Sequence, residues 1–316
     1  MIRKALKIGF LLLIALFLLY WAILIVAIPF NARTPSETDL SKSVQLAQPP
    51  PPPAKGVTLK IVTFNVYDLY AISKHRPERM RGIAQALRDL DPDIVGLQEA
   101  WVEKDRQIIL DGLTGTRLEY HQYYPSGLVG SGKFILSAFP IAEAFFHRYT
   151  KNGKWYKPYH GDWWGGKGVA LARIELPEGG YVDFYDTHAH AGYGTHEYDA
   201  DREAQMQELA DFVNDSATRT SPALVVGDFN CRQGSPAFEE AVNGAHLEWM
   251  MKGDPRIDNI FAAKDGHYTF EVLDCVPIER KIPVPGGETR LSDHSGFMST
   301  IRIKPNPGYE AAPQGS

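Results

Sequence analysis

Ile8 to Phe30 is a run of 23 residues without one charged side chain. A helix rising about 1.5 Å per residue carries such a run across a hydrocarbon layer about 30 Å thick. No polar face interrupts it, so it does not suit a helix lying against a soluble core with one side in water. Arg3, Lys4 and Lys7 precede the run and only Arg33 follows closely. That asymmetry predicts a cytoplasmic N-terminus and a body on the extracytoplasmic side. A cleaved signal peptide is the competing reading, but its apolar region normally spans about 7–15 residues before a small-residue cleavage site. This run is longer and ends Ile28-Pro29-Phe30, which favours a retained single-pass anchor.

The rest of the chain divides by composition. Residues 1–30 read as the anchor, and 31–56 as a polar linker ending in five prolines, Pro49 to Pro53. Consecutive prolines favour polyproline II, a stiff spacer. The body, 57–304, has 248 residues, near the upper limit for one hydrophobic core. Residues 305–316 are rich in Pro and Gly and are expected to be loose. Residues 1–56 hold six Lys/Arg against two acids, which leaves a net charge of −9 on the remaining 260 residues. A body this acidic has no general electrostatic attraction for a polyanion, so nucleic acid is not an expected partner. Two cysteines, Cys231 and Cys275, exclude a disulfide-dense scaffold or a multi-cysteine metal site; whether they pair depends on the fold.

Within the body, short β-rich runs alternate with a few helical ones. Strands are predicted over 59–65, 93–99, 133–139, 168–176, 181–189, 223–230, 256–262 and 296–303. Helices are predicted over 77–90, opening on Pro77, and 199–214. Mixed strands with helices between them suggest two stacked sheets flanked by helices, an α+β arrangement. Several strands end in residues that bind metals or handle protons: Asn65 in TFN, Glu99 in LQEAW, His188 in DTHAH, Asp228 and Asn230 in GDFN, Asp258 in RIDNIF, Asp293 and His294 in SDHSGF. One such carboxylate is an ordinary turn residue. Recurrence across six segments points to polar groups gathered at one end of a sheet.

The order TFN, QE, TH, GDFN, RID, SDH resembles the endonuclease/exonuclease/phosphatase superfamily over about 240 residues, from Leu59 to Ile303. The resemblance implies the pancreatic-deoxyribonuclease-like fold, a four-layered α/β sandwich that uses Mg²⁺ to hydrolyse phosphate esters. Finer features resemble the neutral sphingomyelinases: TFNVYDLY, GLQEAW, DWWGGKGVALARI, DTHAHAGY, the helix REAQMQELADFV and SDHSGF. Two departures stand out: Ala189 replaces a usually bulky residue, and KIPVPGGET (281–289) reads as a short loop without the aromatic hairpin of secreted bacterial enzymes.

These residues define an expected chemistry. Oxygen-rich ligands suit a hard cation, Mg²⁺ or alternatively Mn²⁺ or Ca²⁺. Glu99 is the expected direct ligand with Asn65 beside it, and the resemblance places Asp228, Asn230 and Asp293 around the same site. His294 is the expected general base towards water, with Asp258 fixing its tautomer. His188 and Asn230 are expected to donate to the phosphoryl oxygens. Lys167, between two glycines, is a candidate phosphate contact, and Asp162 five residues earlier can pair with it when no substrate is bound. His190 shares the strand parity of His188 and is a second candidate. Trp155, Tyr156, Tyr159, Trp163 and Trp164 cluster in one segment that suits a lipid headgroup layer. The expected activity is a membrane-anchored phosphodiesterase of phospholipase C type, with a phospholipid or sphingolipid substrate. A surface nuclease and a non-catalytic anchored binding module are the rivals.

Overall fold

The computed structural model describes residues 2–31 and 56–307, apart from 71, 158, 178, 219, 254 and 255. The proline spacer and the tail from residue 308 lie outside the described residues. The apolar run forms one helix, α1 (Ile2–Asn31), long and apolar enough over Arg3–Val26 to cross a membrane.

Among the described residues, the body has fourteen strands, in two six-stranded sheets and one hairpin. The first sheet contains β1 (Val57–Asn65), β2 (Ile94–Gln98), β3 (Tyr120–Tyr123), β4 (Phe134–Ser137), β11 (Tyr268–Ile278) and β14 (Gly296–Pro305), in the order β11-β14-β1-β2-β4-β3. The second contains β5 (Ile141–Arg148), β6 (Gly168–Glu175), β7 (Tyr181–His188), β8 (Ala223–Asp228), β9 (Leu247–Trp249) and β10 (Asp258–Ala263), in the order β5-β6-β7-β8-β10-β9. Helices α2 (Arg76–Leu90) and α3 (Glu103–Leu113) cover the outer face of the first sheet. Helices α4 (Asp199–Ser216) and α5 (Pro236–Gly244) cover the second. The result is the expected four-layered α+β sandwich.

Local chemistry sets these elements. α2 opens on Pro77 with Glu78 in its first turn, and stops where Asp91 adopts a left-handed conformation, φ 47°. Met80, Ile83, Ala84 and Leu87 form its buried stripe. α5 is capped by Ser235, whose Oγ accepts from the Phe238 N–H. Three apolar layers result: one under each helix pair, and one between the sheets, where Ile61, Ile94, Phe184, Val226 and Ile301 meet. Each fully buried aliphatic or aromatic side chain there contributes about 1.5–3 kcal/mol. Gly96 sits in this middle layer with no room to spare: a Cβ there would lie 2.7 Å from Val226 Cγ2 and 3.2 Å from Asp186 Cγ.

Each sheet has a parallel pair at its centre, β1 with β2 and β7 with β8, each joined through a helix. Polar side chains at the carboxyl ends of such pairs open into one crevice. β10 and β14 run antiparallel beside these pairs and begin where β8 and β1 end. The pieces α3, β3, β5, β9 and α5 carry too little periodicity to be read from sequence, and the 11-residue edge strand β11 escaped because a bulge between Val272 and Asp274 breaks its alternation. The segment expected as a short loop is instead a hairpin, β12 (Lys281–Val284) with β13 (Gly287–Arg290). Alternation over only four residues, broken by Pro283, hid it. It carries no aromatic residue.

Candidate active site

Strand register assembles the site. His188 on β7 pairs with Asp228 on β8, and Asp228 with Asp258 on β10, so three site residues form one row across the second sheet. Asn65 pairs with Gln98 on the first sheet, and Glu99 follows directly. Asp293 and His294 lie in the turn before β14, tied to the end of β1 by Ser292, whose Oγ donates to the Asn65 carbonyl at 2.7 Å.

Asp228 is the hub. Its Oδ2 accepts from Asn65 Nδ2 at 3.0 Å and lies 3.5 Å from His188 Nε2 and 3.8 Å from His294 Nε2. Asn65 and Asp228 thus join the two sheets. His294 Nδ1 lies 2.9 Å from Asp258 Oδ2 and 3.1 Å from Oδ1, leaving Nε2 towards the cleft. Burial lowers the His294 pKa, but the hydrogen bond and charge of Asp258, with Asp228 and Asp293, outweigh it and raise the value to about 9. Burial and the nearby Asp228 raise the Asp258 carboxyl, while its hydrogen bond to His294 lowers it.

Glu99 adopts φ +57°, a left-handed conformation that a non-glycine residue holds only under local constraint. Asn230, at φ +47°, is a second such position. The conformation turns the Glu99 carboxylate inward, with Oε1 3.8 Å from His188 Nε2 and Oε2 buried without a hydrogen-bond partner. Burial pushes its pKa up to about 7; Lys167 lowers it, while Asp228 and Asp293 raise it further. Crowded carboxylates with an unpartnered buried oxygen fit a hard divalent cation, which would relieve their repulsion. Asp228, Asp258 and His294 also bring ligand atoms within 4.8 Å of one another, but their hydrogen bonds already engage them. Glu99, whose Oε2 has no partner, is therefore the better ligand; beside it, Asn65 Oδ1 already accepts from the Tyr67 N–H at 3.0 Å. Asp293 is exposed, on a groove of about 490 Å³ shared with Tyr67, Lys74 and Arg290.

The remaining candidates lie around this core. Asn230 Nδ2 donates to the Ala189 carbonyl at 3.1 Å, and its backbone N–H to Asp228 Oδ1 at 3.0 Å. Lys167 is buried, ion-paired with buried Asp162, and donates to the Ala189 carbonyl at 2.9 Å. His190 is buried in an aromatic stack: its ring lies 4.1 Å from that of Tyr198, and Nδ1 is 2.7 Å from the Ala191 carbonyl. Of the aromatic segment, Trp163 is core, whereas Trp155, Tyr156 and Tyr159 are exposed. Cys231 and Cys275 are both free thiols, and burial pushes Cys231 up to about 12, far from a thiolate.

Sequence reading missed a buried polar group just behind this row: Gln98, Lys133 and Asp186. Strand parity carried a signal, since Asp186 and His188 lie two residues apart on β7 and share a face. Lys133, one residue before β4, carried none.

The endonuclease/exonuclease/phosphatase family profile matches residues 62–294, which encloses every site residue. The chain belongs to the endonuclease/exonuclease/phosphatase family. Among its relatives in that family is "Sphingomyelin phosphodiesterase 2" of Mus musculus, 37% identical over 289 residues, covering 80% of this chain and 67% of the relative. The Homo sapiens protein of the same name is 31% identical over 289 residues, covering 81% and 67%. "Inositol phosphosphingolipids phospholipase C" of Schizosaccharomyces pombe is 34% identical over 187 residues, covering 58% and 44%. The chain spans 41–67% of the length of the curated relatives it matches. Solved structures share the family fold. Beta toxin from Staphylococcus aureus, with bound magnesium ions, superposes with a TM-score of 0.62 at 19% identity, covering 77% of this chain and 99% of that one. Sphingomyelinase C from Streptomyces griseocarneus gives 0.59 at 17%, covering 77% and 99%.

Proposed function

We propose that this protein is a metal-dependent phosphodiesterase of phospholipase C type, tethered to a membrane, that cleaves sphingomyelin or a close headgroup analogue. The observation that carries the reading is the row His188–Asp228–Asp258, with His294 bonded to its end, facing Glu99 and Asn65 from the other sheet. Relatives that are named sphingomyelin phosphodiesterases direct it to a lipid.

In this reading Glu99 and Asn65 hold Mg²⁺, with Asp228 and Asp293 nearby. Such a cation polarises the phosphoryl oxygens and stabilises the leaving alkoxide. His294 Nε2 takes a proton from water as the water oxygen attacks phosphorus, and Asp258 stabilises the imidazolium that forms. His188 Nε2–H and the second N–H of the Asn230 amide donate to oxygens on which charge builds. Lys167 reaches the phosphate only by leaving Asp162, so substrate would exchange one anionic partner for another.

The N-terminal helix serves as a single-pass anchor with its N-terminus cytoplasmic. Trp155, Tyr156 and Tyr159 form the face turned to the lipid. The nuclease alternative finds little free positive charge at the start of α2, where Arg79 is buried and Arg76 faces Asp68 and Asp105.

The test offers purified protein with Mg²⁺ three substrates, labelled sphingomyelin, other choline lipids and DNA, with an EDTA control. Release of phosphocholine that EDTA abolishes is expected. DNA cleavage without lipid cleavage would replace the reading with a nuclease.

A further inference from the structure

The strand ladder of the second sheet ends at the site. His188 closes β7 opposite Asp228 on β8. The Ala189 N–H still donates to the Asp228 carbonyl at 2.9 Å, and the peptide group between Ala189 and His190 is the first one beyond the ladder. Both residues are 0% exposed, so neither the C=O nor the N–H of that peptide turns to water. Buried backbone groups without a strand partner need one from elsewhere. The carbonyl accepts from Lys167 Nζ at 2.9 Å and from Asn230 Nδ2 at 3.1 Å. The N–H donates to Gln205 Oε1 at 2.7 Å.

Gln205 is an unusual residue for its place. It lies on the buried side of α4 with Met206, Leu209 and Ala210, and is itself 0% exposed. A buried amide is tolerated where both of its ends are bonded. Here both are: Oε1 accepts from the His190 N–H, and Nε2 donates to the Lys151 carbonyl. Turning the amide over would set donor against donor and acceptor against acceptor, so its orientation is fixed. Lys151 belongs to the loop after β5, where the Tyr149 N–H donates to the Lys167 carbonyl at 3.1 Å. One side chain thus holds both the peptide that receives Lys167 and Asn230 and the loop beside the Lys167 backbone.

We propose that Gln205 is a positioning residue for the two donors Lys167 and Asn230, acting through the Ala189–His190 peptide. A peptide group is planar, with its C=O and N–H pointing opposite ways, so a bond that fixes the N–H also aims the carbonyl. That carbonyl has two lone pairs and engages two donors. The second amide N–H of Asn230 and the ammonium of Lys167 are thereby held in place for an anionic group in the cleft. Lys167 gains a fixed pivot: it exchanges Asp162 for a phosphate while its bond to Ala189 persists. The consequence for turnover rests on the phosphodiesterase reading; the positioning of Asn230 and Lys167 does not.

The experiment uses the full chain in detergent micelles. Asparagine side-chain nitrogens are isotope-labelled, and the Asn230 amide signals are assigned by their loss in Asn230→Ala. In the wild type they are expected apart from those of exposed asparagines and slow to exchange with solvent. Solvent-like Asn230 signals overturn the proposal without any substrate. Gln205→Met removes both bonds, whereas Gln205→Glu keeps an oxygen for the His190 N–H and loses only the amide donor to Lys151. Gln205→Met is expected to make the Asn230 signals solvent-like while those of buried Asn259 stay, and Gln205→Glu to leave both in place. Should Gln205→Met not fold, Gln205→Asn, which draws the amide back by one carbon, replaces it. With sphingomyelin in detergent, kcat is expected to fall about 10–100-fold in Gln205→Met with KM within about twofold, and no more than about threefold in Gln205→Glu. Residues acting along one path are not additive, so the factor lost on Gln205→Met is expected to shrink several-fold when measured in Asn230→Ala and in Lys167→Met. An undiminished factor in either background, unmoved Asn230 signals in folded Gln205→Met, or Gln205→Glu as impaired as Gln205→Met means that Gln205 only anchors α4, and the proposal fails. If the Asn230 signals respond but the wild type cleaves no lipid, the substrate reading fails and the positioning role stands.

Discussion

Replacing Arg79 by methionine tests whether the site depends on a clamp that touches no substrate. The guanidinium is buried and bonded to four backbone carbonyls: Val66 at 2.9 Å, Leu291 at 2.8 Å, Tyr67 at 2.6 Å and Lys74 at 3.1 Å. Val66 and Tyr67 follow Asn65 directly, and Leu291 precedes Ser292, Asp293 and His294. One side chain thus staples the loop carrying a metal-ligand candidate to the loop carrying the base. Hydrogen bonds from a charged donor contribute about 1.5–3 kcal/mol each. The bonds to Val66 and Leu291 are fully buried, and these two alone put the loss at about 3–6 kcal/mol. A domain of this size loses about 2–4 °C per kcal/mol, so Tm should fall by roughly 6–24 °C. Misplacing His294 by about 1 Å costs on the order of 100-fold in rate. Circular-dichroism melting and detergent-phase sphingomyelin turnover read the two effects. Arg79→Lys keeps the charge without the fork and should fall between wild type and Arg79→Met. If Arg79→Met melts within about 2 °C of wild type and turns over normally, the loops are held by other contacts and the reasoning is wrong.

Other expectations follow from the same geometry. Glu99→Gln removes the charge that holds the cation; activity should fall at least ~100-fold with partial recovery at high Mg²⁺, and near wild-type turnover would remove Glu99 from the site. Asp258→Asn removes the group that raises the His294 pKa and leaves burial, which lowers it, so the ascending limb of kcat/KM against pH should move to lower pH while the maximum falls about 10²–10⁴-fold. An unmoved limb means that another base acts. Deleting residues 1–56 should leave a folded hydrolase active on detergent-dispersed lipid and weak on vesicles, because the anchor supplies surface concentration. Equal vesicle rates per molecule would show that the tether does nothing.

Much of this architecture was legible in the sequence because most of its strands at the centre of each sheet and two long helices carry their own periodicity, whereas the longest strand, β11 at a sheet edge, does not. The runs ending at Asn65, His188 and Asp228 are strands by composition, and register then does the rest. What escaped was non-local. Lys133 and Asp186 are meaningful only as a pair brought together between two sheets, and no spacing along the chain announces it. The role of Arg79 carried no signal, because helical sequence alone does not say which arginine faces a ring of carbonyls. His190 shares the strand parity of His188, yet the chain leaves the strand there and packs the ring on Tyr198. The hairpin at 281–290 escaped because short strands with a proline carry almost no pattern.

The crowding at Gly96 gives the middle of the sandwich a second duty. Asn65 and Glu99 belong to one sheet, His188, Asp228 and Asp258 to the other, so the gap across which substrate must be gripped equals the spacing between two stacked layers. That spacing is set by what fits beneath, and at residue 96 an added Cβ would lie 2.7 Å from Val226 Cγ2 on the opposite sheet. Interior positions there act as shims under a vice. A single added methyl at residue 96 would pry the jaws apart and look, in an activity screen, like the loss of a catalytic group. In the proposed phosphodiesterase reading, variants that change which headgroups are accepted should therefore be sought in this apolar layer as well as along the rim of the cleft.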